Sequence, residues 1–238
     1  MELDRTKMPK HIGIIMDGNG RWAKKRNMPR NFGHKQGVET LRTIAEECDR
    51  LGIKYLTAYA FSTENWKRSA LEVSGIMNLL VEYLSRELQK LHEKNVRLTT
   101  IGEIEKLPAK AYQKLLESKE LTRNNTGLVL NLALNYGSRR DISNAIRRII
   151  EMERQRGIDL EDVDEEFLRQ FMDTAFLPDP DLIIRPSGEQ RLSNFLMWEA
   201  AYSEFWYASI NWPDFKISDL HQAIWDYQNR DRRFGAAK

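Results

Sequence analysis

Short runs of β-branched and aromatic residues alternate with amphipathic stretches along almost the whole chain. This alternation restricts the fold more than any other feature. Residues 12–16, 53–60, 96–101, 128–135, 181–185 and 205–210 read as strands. Helices are expected over 33–50, 71–95, 108–124, 140–156 and 218–233. In the first of these, Val38, Leu41, Ile44, Ala45, Cys48 and Leu51 recur at helical spacing. A strand, a helix and a strand in that order favour a right-handed parallel crossover. The expected class is therefore α/β, with a mostly parallel six-stranded central sheet flanked by helices on both faces. The 238 residues contain no Pro/Gly/Ser-rich linker, which favours a single domain over 1–238, with 1–9 as a flexible lead-in.

Composition excludes several classes. Thirty-seven Lys and Arg against 35 Asp and Glu leave a net charge of +2, so no global charge points to nucleic acid. One cysteine cannot make an internal disulfide or a four-cysteine zinc site, and it suits a reducing compartment. Cys48 lies on the apolar stripe of its helix and reads as a packing residue. The polar N-terminus does not resemble a secretion signal, and no apolar run approaches the ~18 residues of a membrane span. A cytoplasmic protein is the expectation.

The stretch from His11 to Trp22 carries the first chemistry. An apolar strand stops at Asp17, the turn Gly18-Asn19-Gly20 follows, and Arg21, Lys24, Lys25 and Arg26 begin a helix. A carboxylate at the carboxyl end of a parallel strand sits where α/β proteins bind ligands. The glycines let backbone amides approach an anion, and the cations add charge-assisted contacts. A plain turn with a capping Asp is the competing reading. The stretch is neither a Walker loop nor a full dinucleotide fingerprint.

Other strand ends hold complementary residues. The second leads into Ser62, Thr63, Glu64, Asn65, Trp66 and Arg68; the fifth into Arg185, Arg191, Leu192 and Ser193; the sixth begins beside Glu204. Arginines and hydroxyls suit two diphosphate groups, and the lone carboxylates Asp17 and Glu204 suit Mg2+, which binds one or two carboxylates plus substrate phosphates. Val73, Ile76, Met77, Leu80, Leu84, Leu88 and Leu91 form a stripe widened by Leu79, Val81 and Tyr83. Such a stripe is ordinarily core, and its breadth leaves room for a lipid-lined wall.

These residues, together with 33–35, 59–66, 125–127, 135–137, 187–196, 212–215 and 232–235, resemble the cis-prenyltransferases, in particular the bacterial undecaprenyl diphosphate synthases, almost end to end. The resemblance implies sequential cis addition of isopentenyl diphosphate to farnesyl diphosphate, giving a long polyprenyl diphosphate for cell-wall synthesis. It implies Asp17 as the Mg2+ ligand with Glu204 completing the shell. Gly18, Asn19, Gly20, Arg21, Trp22, Arg30 and His34 would surround the allylic diphosphate. Ser62, Thr63, Glu64, Trp66 and Arg68 would line the second block, and Asn65 would assist proton removal. Arg185, Arg191, Leu192 and Ser193 would bind isopentenyl diphosphate. Asp17, Asn65 acting through water and a diphosphate oxygen all stand as proton acceptors.

The resemblance further implies a hydrophobic tunnel between sheet and helices, using the 73–91 stripe with Leu128 and Leu130. It implies a homodimer in which the 218–238 segment lies at the interface and Arg233 and Gly235 reach the partner's site. Contact with the inner membrane face would come through the greasy product. The chain departs from the family pattern at Pro186, Ser138 and Ala236. Proline restricts Arg185 toward extended backbone and removes an N–H, leaving the side-chain ligands in place. A non-catalytic relative and an Asp-dependent phosphotransferase are the rival readings. Asp17, Asn65, Arg185, Arg191 and Glu204 argue against the first, and Asn19, where the second would need Asp, against the other.

Overall fold

The structure, a computed structural model, describes residues 2–157 and 159–231. Strand β1 is His11–Ile15, followed by the short helix α1, Asn19–Lys25, and the long helix α2, Arg30–Leu51. Gly52 ends α2 at φ 82°, a left-handed stop that returns its N–H to the Asp49 and Cys48 carbonyls. Strand β2 is Tyr55–Ser62 and helix α3 is Ala70–Glu93, opened by the Ser69 side chain accepting from the Glu72 N–H. Then come β3 Arg97–Ile101, α4 Ala109–Thr122, β4 Val129–Tyr136, α5 Ser138–Arg156 and α6 Glu165–Gln170. The chain closes with β5 Leu182–Arg185, β6 Glu204–Tyr207 and α7 Ile217–Gln228. The expected strand over 205–210 is thus shorter and begins one residue earlier.

The six strands form one sheet in the order β3-β4-β2-β1-β5-β6. All its pairings are parallel, as the intervening helices require. From β1 the chain adds β2 beside it, crosses to the outer edge for β3 and comes back between the two for β4, then passes to the other side of β1 for β5 and β6. The reversal opens a crevice at the carboxyl ends of β1 and β5, the usual ligand position in such sheets.

Alternate residues of each strand supply two cores. Ile12 and Ile14 face one side, with Leu41, Ile44, Cys48, Leu84, Leu115 and Ile224 from α2, α3, α4 and α7. Ile15 and Ile183 face the other, with Tyr136, Phe195, Leu196 and Ala200. Cys48 is fully buried, and burial pushes its thiol far above the usual range, so it packs and does not react.

A polar chain crosses the second face. Thr99 donates to Asn131 Oδ1 at 3.1 Å, Asn131 Nδ2 donates to Thr57 Oγ1 at 3.3 Å, and Thr57 Oγ1 lies 2.8 Å from His11 Nε2. His11 Nδ1 is 2.7 Å from the Pro178 carbonyl, which accepts only, so Nδ1 carries the proton and Nε2 accepts from Thr57.

The lead-in segment, expected to be flexible over 1–9, makes hydrogen bonds to the body of the protein through Asp4 and Arg5. Asp4 N–H donates to Gln228 Oε1 at 3.1 Å, Gln228 Nε2 donates to the Asp4 carbonyl at 2.7 Å, and Arg5 donates to the Leu51 carbonyl at 3.1 Å.

Candidate active site

The crevice at the carboxyl edge is a cavity of about 680 Å³. Its floor is the end of β1 and the turn after it. Asp17 projects where β1 stops, and Gly18, at φ 98°, turns the chain into α1 with no side chain capping the first helical amides. A β-carbon at Gly18 would lie 2.6 Å from Asn211 Oδ1, so only glycine fits this turn. Helix α2 is brought equally close, because a β-carbon at Gly33 would overlap the Asn19 carbonyl oxygen. This contact carries Arg30 and His34 to the rim.

Asp17 is gripped from β5 and from the turn and helix that follow Asp17 in the chain. Its Oδ2 accepts from Arg185 Nη2 at 2.9 Å; its Oδ1 accepts from the Gly18 N–H at 2.6 Å and lies 3.1 Å from Arg21 Nη2. Burial alone would raise the Asp17 carboxyl. The hydrogen bond and charge of Arg185, then Arg21 and the Ser187 hydroxyl, hold it below the ordinary aspartate value. Arg185 is buried, and it also donates to Ser193 Oγ at 2.8 Å and to the Arg191 carbonyl. Arg191 reaches Glu189 at 2.5 Å, and Glu189 also meets Arg21 at 3.3 Å.

The opposite wall is organised by a residue that sequence reading missed. Glu72, buried in the first turn of α3, accepts from Arg30 at 2.9 Å and Arg68 at 2.9 Å and lies 3.4 Å from His34 Nε2. Burial would raise its carboxyl, but the Arg68 and Arg30 charges and the His34 hydrogen bond hold it down. Burial keeps the His34 imidazole below its ordinary value, with Glu72 opposing and the arginines reinforcing that shift. In sequence Glu72 is indistinguishable from a first-turn acid serving a helix cap, although Arg68 four residues earlier was a pairing signal. Tyr59 was missed too. It stacks on Phe195 at 4.6 Å and lines the cavity.

Of the expected residues, the cavity brings together Asp17, Gly18, Asn19, Gly20, Arg21, Arg30, His34, Ser62, Glu64, Asn65, Arg68, Arg185, Arg191 and Ser193. The orientation of Asn65 is fixed by its local structure. Its Oδ1 accepts from the Ser62 N–H at 3.1 Å in a reciprocal cap of the turn Thr63–Lys67, which leaves the amide Nδ2 as the group to offer.

Besides Glu204, four expected site residues and two lysines of the first basic run do not line the cavity. Trp22 turns away, donating to Asp214 Oδ1 at 2.7 Å under the Arg26 guanidinium. Trp66 donates to Asn135 Oδ1 at 2.8 Å and braces the loop behind the site. Thr63 opens the turn after β2, against Gly137, and Leu192 packs on the second core. Lys24 and Lys25, read as phosphate contacts, also lie outside the lining.

Glu204 stands at the other edge of the sheet within the protomer. It is the first residue of β6 and pairs with Leu182 at the amino end of β5, whereas Arg185 stands at the carboxyl end. In a parallel sheet the start of one strand and the finish of its neighbour lie at opposite edges. Within the protomer Glu204 is therefore separated from Asp17, and its Oε2 accepts from Arg230 at 2.6 Å.

Among the described residues, no group of three His, Cys, Asp or Glu is placed to hold a metal ion. Asp17 alone, ionised and 28% exposed, fits a hard cation that takes its remaining ligands from phosphates and water.

An apolar cleft of about 80 Å³ adjoins the polar cavity and shares Met16, Asn19, His34, Ala60 and Ile76 with it. Val38, Leu41, Met77, Leu79, Leu80 and Tyr83 continue it between α2 and α3. From β4 it takes Leu132 and Leu134 rather than the expected Leu128 and Leu130, which lie nearer the amino edge. It is a narrow cleft.

The prenyltransferase family model, that of the undecaprenyl diphosphate synthase family, matches residues 15–235. An isoprenyl transferase of Clostridium tetani is 58% identical over 234 residues, covering 98% of this chain and 92% of that protein. One from Clostridium perfringens is 57% identical over 236 residues, covering 99% and 93%. Among solved structures, lavandulyl diphosphate synthase from Lavandula x intermedia, in complex with dimethylallyl diphosphate, superposes with a TM-score of 0.95 at 34% identity, covering 97% of this chain and 100% of that one. A probable undecaprenyl diphosphate synthase from Campylobacter jejuni gives 0.79 at 34% identity, covering 99% and 100%. With its parallel sheet and the Asp17–Arg185 crevice, the chain belongs to the undecaprenyl diphosphate synthase family of prenyltransferases.

Proposed function

We propose that this protein condenses isopentenyl diphosphate units, in cis configuration, onto farnesyl diphosphate and releases a long-chain polyprenyl diphosphate. The observation that carries the reading is the junction of two unlike spaces. Five arginines and three carboxylates, Asp17, Glu64 and Glu72, line a polar cavity that opens directly into an apolar cleft. Diphosphates suit the first, and a growing hydrocarbon chain suits the second.

In this reading Arg21, Arg30 and the turn Gly18–Gly20 hold the allylic diphosphate, while Arg185, Arg191 and Ser193 hold the isopentenyl diphosphate. When the allylic C–O bond breaks, its electron pair leaves with the diphosphate, and the arginines stabilise the charge that builds there. Fixing the alkene of one substrate against the allylic carbon of the other removes the entropy cost of their meeting. The new bond leaves a cation that loses a proton to form the cis double bond. Asp17, Asn65 acting through water and a diphosphate oxygen are the candidate acceptors. Mg2+ bound at Asp17 would supply further charge neutralisation on the diphosphates.

The cleft between α2 and α3 would widen to take the chain, and its depth would set product length, an undecaprenyl-type product being the family expectation. A homodimer is part of the proposal. It is supported by an apolar groove of about 490 Å³ in which Ile146, Ile150, Leu168 and Trp198 are grouped, with Ile146 and Ile150 each 46% exposed. Arg233 and Gly235, expected to reach the partner's site, lie outside the described residues. No helix among the described residues is long and apolar enough to cross a membrane. We place the protein in the cytoplasm, touching the inner membrane face through its product in the service of cell-wall synthesis.

The test is incubation of the full chain with Mg2+, farnesyl diphosphate and isopentenyl diphosphate, followed by mass analysis. A ladder of products separated by one isoprene unit is expected, with elongation abolished by EDTA and restored by added Mg2+. No elongation under these conditions rejects the proposal.

A further inference from the structure

We propose that Ser187 is a positioning residue that holds the Arg21 guanidinium over the diphosphate site, and that its unfavourable backbone conformation is retained for that purpose. The inference rests on the diphosphate reading above. Ser187 has φ 80°, a region that a residue with a β-carbon rarely occupies, and Gly188 follows at φ 80°. Two backbone bonds to the chain beyond β6 pin the turn there. Ser187 N–H donates to the Ile210 carbonyl and Gly188 N–H to the Ala208 carbonyl, each at 2.7 Å. A glycine at 187 would adopt this conformation without strain, so the backbone alone does not call for serine.

The side chain supplies the reason. Arg21 Nη2 donates to Ser187 Oγ at 2.6 Å, and Arg21 Nη1 donates to the Ser187 carbonyl at 2.8 Å. One residue thus receives both prongs of the guanidinium fork. The same Nη2 stands 3.1 Å from Asp17 Oδ1, and Nη1 stands 3.3 Å from Glu189 Oε1. Arg21 has a 46% exposed side chain on a seven-residue helix, so without these bonds its long side chain would sample many rotamers. The Ser187 hydroxyl, 7% exposed at residue level, accepts from Arg21 and turns its own proton toward Asp17. The left-handed turn points Oγ at Arg21 and the carbonyl at the same fork.

The substitutions Ser187→Gly and Ser187→Ala separate the two roles. Ser187→Gly keeps the carbonyl contact and relieves the backbone, so its melting temperature is expected to be unchanged or raised by up to about 4 °C. Its affinity for inorganic diphosphate, measured by calorimetry on the full chain, is expected to fall about tenfold, the range for a hydrogen bond to a charged group. The kcat/KM for the allylic diphosphate should fall with it. Ser187→Ala should lose the same affinity while keeping the strain. In an Arg21→Gln background, Ser187→Gly should have no further effect on diphosphate binding, because the side chain it positions is gone.

Wild-type diphosphate affinity in Ser187→Gly, or additive losses in the double variant, would overturn the proposal. If the unmodified protein binds diphosphate and Ser187→Gly weakens it, but no elongation occurs, the positioning role stands and the proposed reaction falls. If elongation proceeds and Ser187→Gly binds and turns over normally, the reverse holds. Failure of the unmodified protein to bind diphosphate overturns both.

Discussion

Asp17 Oδ2 and Arg185 Nη2 meet at 2.9 Å across the boundary between the last turns of β1 and β5, the two strands at which the winding of the sheet reverses. Arg185 is 4% exposed, so its charge is compensated inside the protein chiefly by this carboxylate. The pair is both a structural clasp and the floor of the cavity. Asp17→Asn keeps the shape and removes the charge, and kcat/KM should fall by about a thousandfold or more, on the order of the loss of a principal electrostatic group. Asp17→Ala should in addition destabilise the fold through the uncompensated arginine, by about 3 kcal/mol or less given the partial exposure of the site. Isopentenyl incorporation and thermal melting of the two variants check this; undiminished turnover in Asp17→Ala would reject the role.

Glu72 gathers Arg30, Arg68 and His34 onto one buried carboxylate. Glu72→Gln should leave the fold intact and raise KM for the allylic diphosphate by about tenfold, since the arginines lose a charge-assisted anchor. Steady-state kinetics with varied allylic substrate test it, and a loss confined to kcat would contradict the positioning role.

His11 sets an acid limit on stability. Burial pushes its imidazole down from 6.5 to about 4, opposed by the Pro178 hydrogen bond and the Asp181 charge. Between these values the unfolded chain binds a proton that the folded chain refuses. The stabilising contribution of the neutral ring is therefore complete above pH 6.5 and is lost as the pH falls toward 4, amounting to about 3 kcal/mol. Urea unfolding midpoints at pH 7.5 and 4.5 should show this slope, and His11→Asn should flatten it.

Asp141 acts in the opposite direction. Burial raises its carboxyl from 3.8 to about 7, with the Asp173 N–H opposing and the Asp173 and Glu199 charges adding to the rise. A raised acid favours the folded state at low pH, and that contribution is lost as the pH rises from 3.8 through 7. Its Oδ2 is buried without a partner. Asp141→Asn should therefore melt higher than the unmodified protein at pH 8, by ~3 kcal/mol, with the difference shrinking toward pH 5. An equal difference at both pH values would show that the carboxyl is not titrating.

Much of this protein is written in local patterns, because strand and helix periodicities report which face of each element meets a core. The alternation of elements gives the parallel sheet, and the stripe from Val38 to Leu51 gives the buried face of α2 with Cys48 in it. The abrupt end of an apolar strand at Asp17, followed by Gly18, puts a carboxylate at the binding edge. Those inferences need only the residues within one or two turns.

What tertiary structure alone decided is which strand ends share an edge and which way each side chain turns. Glu204 reads as a companion of Asp17 until the parallel register places it at the far edge. Trp22 sits inside the most informative motif, yet its indole finds Asp214, almost two hundred residues away in the chain. Glu72 looks like a helix cap until α2 and α3 pack together and bring Arg30 and His34 to it. Lys24 and Lys25 belong to a basic run, but a helix turns successive residues by about 100° and only Arg21 faces the cavity. Ser187 is unremarkable in a Pro-Ser-Gly turn, and its φ and its hold on Arg21 exist only once β5 and β6 lie side by side. Periodicity encodes burial within one element, whereas a polar contact between distant segments depends on register and approach, which no local pattern specifies.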